Sequence, residues 1–300
     1  MKTTLHKEFA LHLPKKDIPY FEGWYTRVHT DSKDFAIIFG ISFDDKKKEV
    51  FIQYLDTDKS KIFTFPWESF SYTSHPFQIK IDENLLSLNF IHLQLPNLEV
   101  ELYHEQLTLL DTNWFSPTIM GPFSYLPMEC IHSIISLRHS IIGYIKDGNN
   151  YLELDGIGYM EKDRGTSFPS EYLWFQSNQN NDSSCFFFSY AHIPFAFSSF
   201  QGCICVLMLD KQYRFATYLG CRVTVNQKDK SVILHQYPYK LHVSFVYPQG
   251  HTLTSPKQGA MSGRVNETLE ATAFVTLKKK SLSIGTWKFT YGGFENNGIF

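Results

Sequence analysis

The chain has 300 residues, of which 16% are aromatic and only 19% charged. That balance excludes disorder, which needs few aromatics and many charges. Lys plus Arg number 28 and Asp plus Glu 30, a formal charge of -2, so no basic excess supports a nucleic-acid function.

From Met1 to Leu13 no apolar run is long enough for a signal-peptide core. Nor does any stretch approach the roughly 20 apolar residues of a membrane helix. The expectation is a soluble, cytoplasmic protein. The cysteines, Cys130, Cys185, Cys203, Cys205 and Cys221, are odd in number and form no CxxC pair. They read as buried, reduced thiols.

In chain order, almost every apolar segment alternates or is rich in β-branched and aromatic residues, as strands are. Strands are expected at Tyr20–Thr30, Phe35–Phe43, Val50–Asp56, Ile62–Phe65, Phe77–Ile81, Leu85–Leu93 and Leu98–Leu110. A second group runs Glu129–Leu137, Ser140–Lys146, Tyr151–Glu161, Tyr172–Asn178, Ser184–Ile193, Cys203–Leu209 and Tyr213–Leu219. The last are Arg222–Asn226, Val232–Gln236, Leu241–Tyr247, Leu269–Leu277 and Leu282–Tyr291. Asp44–Lys48, Asp147–Asn150 and Lys278–Lys280 read as turns between strands. Helical periodicity is confined to single turns around Trp67–Tyr72 and Asp111–Phe115. The fold class is all-β, with too many strands for one eight-stranded barrel. Two β domains are expected, 1–145 and 146–300, with the boundary between 117 and 150. No tandem repeat of fixed period is visible.

Polar residues and glycines are densest in the middle third. Gly121–His132 (GPFSYLPMECIH) leads into a strand, and Gly158–Gly165 (GYMEKDRG) ends another. Interior glycines such as Gly156 and Gly158 mark a bulge or a close approach of ligand or backbone. If the pleat persists, Tyr159, Glu161 and Asp163 share one face and Lys162 points to the other. Two neighbouring carboxylates in an apolar setting have split pKa values, one acid and one base. The plain alternative is an exposed strand end with solvated charges. His132 and His139 also read as hydrogen-bonded strand histidines. The Cys185–Tyr190 run (CFFFSY) reads as a strand buried on both faces.

These strings resemble the tocopherol cyclase family: GPFSYLPMECIH, GYMEKDRG, Ser167-Phe168-Pro169, YLWFQSN (Tyr172–Asn178) and YRFATYLG (Tyr213–Gly220), in that order. Glu22-Gly23-Trp24-Tyr25 and Gly292-Gly293 are similar too, so the likeness spans the chain from about Tyr20. A looser similarity runs to carotenoid 1,2-hydratase-like, lipocalin-type proteins. The resemblance implies two lipocalin-like antiparallel β-barrels. It also implies an intramolecular cyclase that protonates the alkene of a prenylated hydroquinone and closes a chromanol ring without a cofactor or metal. Arg164 stands where plant-type members carry Trp.

That chemistry needs an acid in a dry pocket, aromatic faces for the cation and an acceptor for the phenol proton. Asp163 is the expected acid and Glu161 its partner. Tyr159, Tyr172 and Trp174 are candidate pocket aromatics, and Glu129, His132 and Arg164 candidate substrate contacts. The expected partner is an apolar small molecule, reached by peripheral membrane contact if it is a lipid. The alternatives are a lipocalin-like carrier without catalysis and a β scaffold for protein interaction.

Overall fold

The computed structural model describes residues 7–14, 18–179, 182–195 and 198–300. Two antiparallel sheets account for almost all of its regular secondary structure, an all-β, lipocalin-like architecture. In the first sheet a meander of β1 (Tyr20–Thr30), β2 (Asp34–Phe43), β3 (Lys48–Asp56) and β4 (Ser60–Pro66) ends in a single 3-10 turn, Trp67–Ser69. A second meander follows: β5 (Phe70–Ser74), β6 (Phe77–Ile81), β7 (Asn84–Ser87), β8 (Phe90–Leu95) and β9 (Leu98–Glu105). The long hairpin β10 (Cys130–Asp147) and β11 (Asn150–Gly165) then returns, and β11 pairs with β1 to leave a nearly closed barrel.

The second sheet follows a related plan with a shorter second meander and one strand off the main path. Here β12 (Tyr172–Ser177), β13 (Cys185–Phe195), β14 (Ser198–Met208) and β15 (Gln212–Ala216) lead into the 3-10 turn Thr217–Leu219. Then come β16 (Arg222–Asn226), β17 (Ser231–Gln236), β18 (Tyr239–Val246) and β19 (His251–Lys257). The closing hairpin is β20 (Ala260–Lys279) and β21 (Leu282–Asn297), and β21 pairs with β12 as β11 does with β1. The repeat lies in connectivity, with no fixed sequence period.

The sheets change over at 166–171, whereas the expected boundary fell between 117 and 150. The Asp147–Asn150 turn closes a hairpin inside the first sheet, so it cannot separate units. Two expected strands merge into β10, which survives its bulges near Ser136 as one strand. Asp111–Phe115 is irregular rather than a helical turn. β19 was not expected, because its Thr, Ser and Pro content hides its alternation.

Alternation along the closing strands puts core on both faces. On β1, Trp24 and Val28 enter the first barrel while Tyr25 joins a third core between the units. On β12, Leu173 and Phe175 enter the second core and Tyr172 and Trp174 the shared one. The Cys185–Tyr190 run is explained in the same way. Phe186 and Phe188 fill the second barrel, and Phe187 faces the interface. All five cysteines are free, and four are buried.

Candidate active site

A cavity of about 170 Å³ opens in the shared core, walled mainly by aromatic, aliphatic and Met side chains. Four carboxyl groups and one imidazole face it: Glu161, Asp163, Glu267, Glu295 and His132. Their strand positions explain the convergence. β11 holds its pleat to the end, so Tyr159, Glu161 and Asp163 share the interface face. The intervening Lys162 points into the first barrel, where it pairs with Glu22 and lies 4.9 Å from the Trp24 ring.

Register brings His132 of β10 opposite Asp163. His132 Nδ1 lies 2.9 Å from Asp163 Oδ1, and Nε2 3.5 Å from Glu161 Oε2. The Phe187 ring stacks on the imidazole at 5.1 Å. Burial would lower the His132 pKa, but the Asp163 and Glu161 carboxylates overcome it and lift it to about 9. Glu161 is held by the Tyr159 hydroxyl and, at 3.2 Å, by the Trp174 indole N–H. Desolvation nevertheless dominates, and Glu161 is pushed up to about 7.

The second unit supplies a matching pair. Glu267 of β20 and Glu295 of β21 are register partners, and Trp174 lies across from Glu295. Tyr25 OH donates to Glu267 Oε1 at 2.5 Å, and Tyr172 OH donates to Glu295. Burial raises both carboxyls, to about 8 each. For Glu267 the nearby Glu295 adds to the shift; for Glu295, Glu161 and Asp163 add to it.

Of the residues singled out from the sequence, Glu161, Asp163, His132, Tyr172 and Trp174 line the cavity. Tyr159 stands behind Glu161 as its hydrogen-bond donor. Glu129 and Arg164 are not among the lining residues. Glu129 turns to Ser167, and Arg164 lies on the Lys162 face, opposite Glu22. Gly156 and Gly158 do not border the cavity. A Cβ on Gly158 would sit 2.2 Å from His139 Nε2, so that glycine admits a histidine rather than a ligand.

Glu267, Glu295 and Tyr25 were missed. The signal for Glu267 was present: it alternates in phase with Val265 and Leu269, both buried. A Glu on the buried phase of a strand is unusual unless it has a partner.

His132, Glu161 and Asp163 also present ligand atoms within 4.8 Å of one another. A cation between them would have to open the 2.9 Å His132–Asp163 bond and sit beside the phenol and indole donors on Glu161. Those donors suit a group that exchanges protons.

No family model and no curated protein matches the chain. Solved structures do. A candidate AttH from Nitrosomonas europaea superposes with a TM-score of 0.58 at 11% identity, covering 97% of this chain and 98% of that one. CghA with bound Sch210972 gives 0.56 at 8% identity, covering 96% and 94%. Kievitone hydratase from Nectria haematococca gives 0.50 at 9% identity, covering 96% and 94%. At these identities the likeness carries the fold, which agrees with the lipocalin-type architecture that the sequence resemblance implies.

Proposed function

We propose that the protein is an acid–base enzyme that isomerises an apolar, alkene-bearing substrate, in the manner of a tocopherol cyclase acting on a prenylated hydroquinone. The observation that carries this reading is the His132–Glu161–Asp163 cluster, facing a mainly apolar cavity between the two units. Proton transfer at carbon needs that combination of a dry site and carboxyls that ionise near neutrality.

In this reaction a carboxyl protonates the alkene, and the phenol oxygen attacks the tertiary cation. The C–O bond forms as the O–H bond breaks, and the phenol proton passes to a base. Glu161 suits the base, because Tyr159 and Trp174 both donate to its Oε2 and hold the carboxylate in place towards the cavity. Asp163, the acid expected from sequence, is engaged by His132 and orients that ring beside Glu161. The Trp174 and Tyr25 faces, 5.6 Å apart centre to centre, offer π density to the cation.

Incubation with a panel of prenylated hydroquinones, followed by mass and product analysis, tests the reading. The expected product is an isomer of the substrate, and Glu161→Gln should slow its formation about 10²–10⁴-fold. A product one water heavier would make the enzyme a hydratase. Tight binding with no conversion of any member would overturn catalysis and favour a lipocalin-like carrier.

A further inference from the structure

We infer that the alkene-protonating acid is Glu267, held in its neutral form by Glu295, and that the two units of the fold divide the reaction between them. This rests on the proposed reaction above. The second unit would give the proton, and the first would take it back.

Glu267 is fully buried and lines the cavity, yet its Oε2 has no hydrogen-bond partner. A buried carboxylate oxygen left bare is costly, whereas a neutral carboxyl needs less compensation and carries a proton to donate. The other oxygen, Oε1, accepts from Tyr25. The bare oxygen is therefore the one free to carry the proton.

The surroundings keep that proton in place. Glu295 is the cross-strand partner of Glu267 on the same cavity wall, and two carboxyls so placed in an apolar setting do not both ionise. The charged and titratable neighbours are Arg27 and Tyr25 on β1, Tyr172 on β12, and Glu161 and Asp163 on β11. Arg27 opposes the shift but is itself engaged by Gln176, the Leu269 carbonyl and Asp34. Burial and the neighbouring carboxyls outweigh it.

Geometry also separates donor from acceptor. Tyr25 binds Glu267, whereas Tyr159 and Trp174 bind Glu161, and these three rings touch edge to face or at a tilt. An aromatic cluster thus stands between the acid of one unit and the base of the other. The cycle balances: Glu267 loses a proton to carbon, Glu161 gains one from the phenol, and exchange with solvent resets both.

The test uses the full-length protein and the panel member that the wild type converts. Glu267→Gln keeps the carbonyl that accepts from Tyr25 but has no acidic proton. It should lower kcat about 10²–10⁴-fold with substrate binding unchanged. Glu295→Gln should lower turnover at neutral pH less than Glu267→Gln does, and should move the alkaline limb of the pH–rate profile to lower pH, because Glu267 then ionises more easily. Infrared spectra at neutral pH should contain a protonated-carboxyl band that Glu267→Gln removes. If the wild type turns over and Glu267→Gln matches it, this inference falls and the reaction stands. If the wild type converts nothing, the reaction falls. The infrared band then decides the neutral acid: its absence overturns it, and its loss in Glu267→Gln supports it.

Discussion

Two histidines on one strand show how far the environment, rather than residue type, sets chemistry. His132 and His139 both lie on β10, one bulged stretch apart. His132 meets two carboxylates and is raised, whereas His139 is buried against His104, ring centres 4.8 Å apart, and is pushed well below its ordinary value. His104 is lowered to about 4 by burial. From sequence His132 stood out beside the MEC motif, but His104 did not, since it merely continues the buried phase of Val100 and Leu102. The consequence is a pH dependence of stability. His104 is neutral when folded and titrates near 6.5 when unfolded. Its contribution is therefore present above about pH 6.5 and lost as pH falls towards 4, worth about 3 kcal/mol for a shift of this size. His104→Phe removes that titration. Urea midpoints measured from pH 7 to pH 4.5 should fall less steeply in the variant than in wild type; equal slopes would show that His104 does not titrate there.

At the scale of elements, the closing hairpins carry the site, and their glycines set its dimensions. A Cβ on Gly293 of β21 would lie 2.8 Å from the Trp174 ring and 3.5 Å from Glu267 Oε1. Glycine here leaves room for the edge of the indole's six-membered ring, and the indole N–H turns to Glu161. Gly293→Ala should push Trp174 away, weaken that hydrogen bond and cost about 1–3 kcal/mol through overpacking. Tryptophan fluorescence should shift and turnover should fall. An unchanged spectrum with full activity would remove Trp174 from the site. The strands around this hairpin were legible because their apolar residues alternate. The cavity itself was not legible, because it depends on β20 and β21 meeting β11 and β1 across the interface. Glycine content misled in the other direction: Gly156 and Gly158 suggested a ligand, but they accommodate the β1 backbone and the His139 ring.

The molecule is two sheets of related topology sharing a third core, and that sharing has a thermodynamic consequence. The shared core draws Tyr25, Ile134 and Tyr159 from one unit and Trp174, Phe187 and Leu269 from the other. Either unit alone would expose that surface to water, at roughly 25 cal/mol for each Å² of apolar area. Polar straps cross the same interface. Arg27 of β1, 1% exposed, reaches Gln176, the Leu269 carbonyl and the Tyr291 carbonyl of the second unit. Asn178 donates back to the Leu137 and Gly158 carbonyls. None of this was visible in the sequence, because Arg27 sits in an ordinary-looking strand and its partners lie some 150 to 260 positions away. The expected behaviour is one cooperative unfolding transition for the full chain, with calorimetric and van't Hoff enthalpies equal. Arg27→Met should lower the stability of that single transition by about 3–5 kcal/mol, since it strands two carbonyls and weakens the pairing of buried Asp34. If the units instead melted separately in the wild type, the interface would be too weak to hold Glu267 and Glu161 in register, and the division of chemistry between the units would lose its structural basis.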